Sequence, residues 1–582
     1  MTRARSVALG AAIIVLFPVV VRPDALVITK AMTATTIAEI FVEDDRIRLE
    51  LEIGVADLAA FPSLLPDALY ERLGHEPEPL EQRLPRFFRE EFVIRLDGGA
   101  PLPGIIEEMK ARPRIQRDEV TGEPLPVVDE ETAEAVVFAR AVYPLKRRPR
   151  TLSVGLPRAG RGASASIGFV LYHRSLPVND FRYLGREETA RLDWDDPWFS
   201  KFDNRNLWRQ YDVPVSAFLY VEPYEVRKEV VLRPLDLQPW VDLGLDGESV
   251  ITVEEQPEIK RRVVEFLAQR NPVTIDGQPA EGRLDRVHFI YRNLRTSGVI
   301  NPPRDLDAVS ATLGVIFYYP VDGLPQQVDM EWELFNEKLA YIPSSATDEA
   351  GPLPYRLTPD DRVLRWENFL KNPTLPGLVD VDEPPVLGRL WLALAALVCG
   401  LGLAWVVARH GAAALRGTRP PWRTVALAVA LLALGGGALT QAVRPAWATD
   451  EKADEVVLAL LENIYRSFDY RDESVIYDSL ERSVTGELLT DTYLETRRSL
   501  ELENQGGARA KVKEVALVES EHAPGAEVGF ESLLTWDVTG SVGHWGHVHQ
   551  RQNQYQARVT VDAVDGRWKI TALDLIQEER RQ

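Results

Sequence analysis

The densest chemistry in this 582-residue chain lies near its end, in His544-Trp-Gly-His547-Val-His549-Gln-Arg551-Gln-Asn553-Gln-Tyr555. Alternate residues of a strand share a face, so His547, His549, Arg551, Asn553 and Tyr555 line one side. Gln550, Gln552, Gln554 and Gln556 take the other and face solvent. Three uses fit. Neutral imidazoles at His544, His547 and His549 are ligands for a divalent metal ion such as zinc, copper or nickel. His522 or an acid such as Glu495 would complete the ligand set. Arg551, with histidine and tyrosine donors beside it, suits a polar or anionic ligand. A hydrogen-bonded network fixing a sheet against helices uses the same residue types and needs no ligand.

A second concentration falls within Leu192–Tyr211. Asp193, Trp194, Asp195, Asp196, Trp198 and Trp208 stand there with Phe199, Phe202, Asp203, Asn204 and Asn206. Clustered carboxylate and amide oxygens suit calcium, although the glycine of an EF-hand loop is missing. Aromatics flanked by acids also suit a partner or glycan surface. A third use is an interdomain clasp, with the rings buried and the acids solvated or paired with Arg205 and Arg209.

Bulk properties narrow the classes. A net charge of -21 excludes nucleic-acid binding through a basic surface. The one cysteine, Cys399, sits in an apolar run, which excludes an intrachain disulfide and a thiolate metal site outside that run. The chain has no Gly-x-Ser-x-Gly elbow, no phosphate-cradling glycine loop and no His-Glu-x-x-His motif. The expectation is a non-catalytic protein; the rival is an enzyme with His547 or His549 as general base.

These residues need elements to position them. Apolar runs at Leu390–Ala408 and Thr424–Val443 are each long enough for a membrane span. Trp391, Trp405 and Trp422 lie near their ends. The loop between them carries Arg409, Arg416, Arg419 and Arg423 and no acid, which puts it on the cytoplasmic side. Val7–Val21, behind Arg3 and Arg5, reads as a signal peptide ending near Pro23-Asp24-Ala25, or as an uncleaved signal anchor. Both soluble regions then lie in the periplasm of a bacterium, at its inner membrane.

The first soluble region repeats itself. Ala38–Ile53 matches Ala217–Leu232, and Asp57-Leu58 matches Asp236-Leu237. Val93–Gly98 matches Pro272–Gly277 at the same offset of 179 residues. Ile167–His173 matches Leu313–Tyr319 at an offset of 146, which puts 33 extra residues in the first copy, around Ile105–Glu131. Ile47-x-Leu49-x-Leu51-x-Ile53 alternates as a half-buried strand does. Asp97-Gly98 and Asp276-Gly277 are turn pairs. Helices are expected at Leu80–Glu91 and Gln256–Arg270. A strand, a helix and a strand ending in Asp-Gly, ahead of membrane helices, resembles the extracellular region of HupE/UreJ-type hydrogenase/urease accessory membrane proteins. That family continues with a larger helical bundle bearing histidines. Two plain helices follow here, so the resemblance implies no metal transport.

After Thr449-Asp450, apolar residues from Val456 to Phe468 recur at helical spacing. Further helices are expected near Glu473–Glu481 and Leu488–Leu502, then strands at Lys511–Val518, Val528–Val538, Val548–Val561 and Trp568–Asp574. Three helices followed by a curved antiparallel sheet resembles the nuclear-transport-factor-like (SnoaL-like) cone fold. That resemblance implies a pocket between helices and sheet.

The expected architecture is therefore a multidomain chain. It has a signal segment at 1–25, tandem mostly-β sandwich domains at 30–205 and 212–375, and a two-helix transmembrane hairpin at 390–408 and 424–443. A cytoplasmic loop at 409–423 joins the two helices, and a C-terminal α+β cone domain spans 450–582. The expected function is that of a membrane-anchored periplasmic binding or assembly protein, integral to the membrane, with an envelope protein partner or a ligand.

Overall fold

A computed structural model describes residues 29–114, 134–156, 165–210, 212–245, 247, 249–292, 297–373, 377–382, 386–415, 421–443, 449–494, 509–524, 529–544 and 547–581. The expected signal segment lies outside these residues. The chain is rich in β-sheet, followed by two long apolar helices and a region in which helices precede a four-stranded sheet.

The first soluble region contains a large sheet and a small one. The large sheet orders Ile105–Pro113, Ala135–Pro144, Arg46–Gly54, Thr36–Val42, Ile167–His173 and Leu176–Pro177. The small sheet orders Lys201–Phe202, Glu188–Arg191, Thr151–Gly155 and Val93–Leu96. Alternation decides which residues meet: Ile40, Leu49, Leu51 and Val137 from the large sheet share one core with Ile94, Leu152 and Ala190 from the small. Each fully buried aliphatic side chain contributes roughly 1.5–3 kcal/mol.

The second region repeats this topology in its central strands and differs at the sheet edges. Its large sheet orders Arg283–Arg292, Thr312–Pro320, Glu225–Leu232, Ser216–Glu222, Ile342–Asp348 and Gly351–Leu357. Its small sheet runs through Val273–Ile275, Gln327–Glu331 and Val363–Glu367. Helix Gln256–Ala268 closes one side, burying Ile259, Val263 and Leu267. The Asp-Gly turns are equivalent in detail. Asp97 and Asp276 both have φ of 50°. Each carboxylate accepts two backbone N–H groups, Arg150 and Thr151 for Asp97, Gln326 and Gln327 for Asp276.

The register corrects the third repeat match. Ile47 faces Tyr143 across one strand pair, and Val226 faces Tyr319 across its counterpart. Leu313–Tyr319 therefore corresponds to Val137–Tyr143 rather than to Ile167–His173. The latter runs parallel beside Thr36–Val42, as Ile342–Asp348 does beside Ser216–Glu222. The copies need no 33-residue insertion. The mismatch has a physical origin: central strands covered on both faces draw on the same β-branched and aromatic residues, so composition cannot tell them apart.

Two helices, Val386–Leu415 and Trp422–Val443, are long and apolar enough to cross a membrane. They pack on each other and stand clear of the soluble body, with Trp391 69% and Trp422 76% exposed. A Cβ on Gly435 would lie 2.9 Å from the Cys399 Cβ, so glycine permits the close crossing there.

In the C-terminal region, helices Asp450–Arg466, Glu473–Glu481 and residues 486–494 precede strands Arg509–Pro524, Gly529–His544, His547–Val564 and Arg567–Arg580. These strands pair in sequence order. Val457, Leu460, Leu461 and Ile464 on the first helix meet Phe530, Leu534, Trp536, Val559 and Ile570 on the sheet. The strands run longer than the expected segments because pairing carries them past their apolar centres into polar ends. The expected helix at Leu488–Leu502 is described only as far as residue 494.

Candidate functional site

The site is built where the second sandwich meets the C-terminal domain. Strand Glu225–Leu232 carries charge on both faces, yet all eight of its residues are buried. Val226, Val230 and Leu232 point into the sandwich core. Lys228 takes a core position too, and its ammonium donates to the Arg270 and Asn271 carbonyls just beyond helix Gln256–Ala268. Burial lowers its pKa to about 8. Glu225, Arg227 and Glu229 point the other way. Arg227 lies directly across from Tyr220, 4.7 Å above its ring.

The first sandwich has the same arrangement left open. Arg48 sits 3.9 Å over Phe41 and pairs with Glu50, and both charged side chains are about a quarter exposed. What differs in the second copy is a cover. Arg471, just ahead of helix Glu473–Glu481, pairs with Glu225 and Asp285. Lys511, on the first strand of the C-terminal sheet, pairs with Glu222. A β-bulge between Leu284 and Arg286 turns Asp285 onto this face, where Arg286 joins it at 2.8 Å.

Four acids (Glu222, Glu225, Glu229, Asp285) thus meet four bases (Arg227, Arg286, Arg471, Lys511). The sandwich by itself supplies four acids and two bases, and the C-terminal domain supplies the missing two. At four of these groups burial works against the charge and the partners prevail. Arg227 and Arg471 are held above the usual arginine range by the surrounding carboxylates. Glu222 and Asp285 are held below the carboxylate range by their cations.

A cleft of about 390 Å³ opens beside this network. Tyr220, Glu222 and Arg227 line it from the sandwich, Asp348 and Glu349 from a hairpin tip, and Arg466, Lys511 and Lys513 from the C-terminal domain. Such a mixed-charge wall suits a polar ligand with groups of both signs.

The histidine hairpin is placed by its backbone. His544 faces His547, Val542 faces His549 and Gly540 faces Arg551. The side chains of His544, His547, His549 and Arg551 lie outside the described residues, as does Glu495. Asn553 and Tyr555 are buried. Asn553 Nδ2 donates to the Tyr555 hydroxyl at 2.9 Å, and that hydroxyl donates to Glu578 at 3.3 Å. Trp536 stacks on Tyr555 and donates to the Tyr465 hydroxyl at 3.0 Å, which ties the sheet to the first helix. His522 is engaged by Ser532 at 2.7 Å and Asp454 at 2.9 Å. Among the described residues no group of three histidine, cysteine or acidic side chains is arranged to hold a metal ion.

In the aromatic–acidic stretch, Asp193 accepts the Asp195 and Asp196 N–H groups and so shapes a turn. Asp195 is exposed. Trp194 donates to the Pro149 carbonyl, Trp198 to that of Asp212 and Trp208 to that of Phe202. Asp196 reaches across to Arg233 of the second sandwich at 2.9 and 3.2 Å and to Lys338 at 3.2 Å. Arg233 is fully buried and also grips Asp236 at 2.7 and 2.8 Å. Arg209 stacks on Trp198. Arg205, grouped with Arg209 in the sequence, lies over Trp208 instead.

Sequence reasoning passed over Arg227, Arg471 and Lys511. One signal for them is visible. Arg46–Ile53 alternates cleanly, whereas its counterpart Glu225-Val-Arg-Lys-Glu-Val-Val-Leu232 does not. Lost alternation in one copy of a repeat marks a strand whose second face is covered. Comparison with known protein families and with curated proteins gives no match to any part of this chain.

Proposed function

We propose that this chain is a non-catalytic, membrane-anchored binding or assembly protein of a bacterial envelope. The hairpin holds it in the inner membrane, and both soluble regions act in the periplasm as one body. One observation carries the reading: residues on either side of the hairpin touch. Asn463 bonds both backbone groups of Val379, and Arg471 pairs with Glu225. Regions in contact share one side of a bilayer. The arginines of the intervening loop support a cytoplasmic loop and hence outer domains. The cleft between sandwich and C-terminal domain supports engagement of a ligand or a protein partner.

A reporter active only outside the cytosol, fused after Gln582, tests the topology. Activity there and silence after Arg416 is the expected pattern, and the reverse overturns it. A photoreactive residue at Lys513 tests binding in intact membranes. Attachment of an envelope protein or ligand is expected at Lys513 and not at Lys110, and identical behaviour of the two sites counts against the cleft.

A second reading makes the histidine hairpin a metal site or, with His547 or His549 as base, an enzyme pocket. The register that sets His544 opposite His547 favours it. Stoichiometric zinc, copper or nickel, lost when all three histidines are replaced, would establish it. A metal-free protein whose Tm ignores chelators would end it.

A further inference from the structure

Where the two sandwiches meet, a cavity of about 430 Å³ is lined by both. Asp180 comes from the first sandwich, Trp198 and Arg209 from the connecting stretch, and Asp305, Asp307 and Ser310 from the second. Arg209 is 9% exposed. Its Nη2 donates to the Trp198 carbonyl at 2.7 Å, and the guanidinium lies 4.5 Å from that indole. Among the described residues it makes no other hydrogen bond and no ion pair.

A buried charge is normally paired and hydrogen-bonded. Arg233, on the same indole at 5.1 Å, shows the usual solution, with two carboxylates between 2.7 and 3.2 Å. Arg209 lacks this. Burial lowers its pKa to about 10, although Asp180 and Asp212 pull the other way. One carbonyl and one ring face leave most of a five-donor fork unused, and the cavity is where the missing acceptor belongs.

The rest of the lining narrows the acceptor. Asp305 accepts the Val253 N–H at 3.0 Å and Asp307 the Val309 N–H at 2.9 Å. A carboxylate has about four lone-pair sites, so both retain capacity for donors. Three acids outnumber the two arginines of the lining, Arg209 and Arg304, and this disfavours a multiply charged anion such as phosphate. They accept from a singly charged one that also carries donors.

We propose that this cavity binds a small organic monocarboxylate bearing hydroxyl or ammonium donors, with its carboxylate on Arg209 and its donors on Asp305 and Asp307. The site is separate from the cleft at the C-terminal domain, and it stands or falls independently of that cleft.

Calorimetric titration of the full chain in detergent, at fixed ionic strength, tests it. The probes are alanyl-alanine (ammonium donor), D-galacturonate (hydroxyl donors), their methyl esters and inorganic phosphate. At least one acid saturates at one per chain, its ester binds about tenfold more weakly or worse, and R209M loses binding by a similar factor. Which acid binds identifies the donor type. Ser310→Phe, which fills the cavity while leaving Arg209 intact, abolishes binding too, so the test survives if R209M does not fold. Failure of both acids to saturate below about 10 mM, equal binding of the esters or of phosphate, or unchanged binding in either variant overturns the proposal.

Discussion

Asn463 grips a residue on the other side of the apolar hairpin: its Oδ1 accepts the Val379 N–H at 2.9 Å, and its Nδ2 donates to the Val379 carbonyl at 2.7 Å. The same Nδ2 donates to the Ser483 hydroxyl at 2.9 Å, and Asn463 is 1% exposed. The segment leading into the apolar hairpin is thereby fastened to the first helix that follows the hairpin. Asn463→Leu leaves two backbone groups of Val379 without this partner, at a cost of about 2–3 kcal/mol. The expected result is a lower Tm of the C-terminal unfolding step and faster proteolysis within residues 370–382. An unchanged cleavage rate would show that the amide does not hold the joint.

The charge network makes a second, independent prediction. Arg471→Ala takes from Glu225 and Asp285 the cation they share and leaves them to Arg227 and Arg286, at a cost of about 3 kcal/mol. It releases the C-terminal domain from the sandwich without unfolding either. Hydrogen exchange reads this as loss of protection confined to strand Glu225–Leu232 and helix Glu473–Glu481. The counterpart change in the uncovered copy, Arg48→Ala, costs under about 1 kcal/mol, because that pair stays partly exposed to solvent.

Two groups in the first sandwich give opposite pH dependences. Burial raises Glu91 to about 7, despite its bonds from the Ser63 N–H. The folded state therefore binds the proton more tightly, and the stability it contributes below about pH 4.5 is lost as pH rises toward 7. Glu91→Gln removes this loss and stabilises the protein at pH 8 by about 1–3 kcal/mol. Burial lowers His173 to about 4, with Ser200 its hydrogen-bond partner at 2.7 Å. Here the unfolded chain binds the proton more tightly, so stability declines as pH falls from about 6.5 toward 4. His173→Gln flattens the acid limb of the Tm–pH profile, and Glu91→Gln flattens the limb between 4.5 and 7. Profiles that do not change in these windows would refute the assignments.

Within the hairpin, Gly435→Ile places branched carbons where Cys399 already packs. A Cβ on Gly436 meets nothing within 4 Å, so Gly436→Ile serves as the control. Labelling of Cys399 by a membrane-permeant maleimide is expected to accelerate in the first variant and stay unchanged in the second. Equal rates would mean that the helices do not cross at this point.

Much of the scaffold was legible because it follows from periodicity and turn chemistry. Helix Glu473–Glu481 is found at its expected bounds. The Asp-Gly pairs are left-handed turns, as dipeptides of that kind favour. Helix Leu80–Glu91 was half legible: it is α-helical to Arg86, with Pro85 in its last turn, then widens into a π-turn over Phe87–Glu91. Strand Leu313–Tyr319 resembles Ile167–His173 in sequence although its counterpart is Val137–Tyr143, because one residue vocabulary serves every doubly covered strand. The binding features were less legible still, since an arginine in a list does not say whether a carboxylate stands opposite it.

The chain's linear order alone determined the apolar hairpin, its arginine loop, the duplication and the two polar concentrations, since each depends on neighbours within a few turns or strands. Only the tertiary structure decided that Asp196 reaches Arg233, that Arg471 and Lys511 cover one sheet while Arg48 stays open, and that Arg209 borders a cavity with its charge incompletely paired. Those outcomes turn on distances between residues up to 289 positions apart, as between Glu222 and Lys511. Charge type and spacing in sequence carry no information about such distances until the sheets close and exclude water.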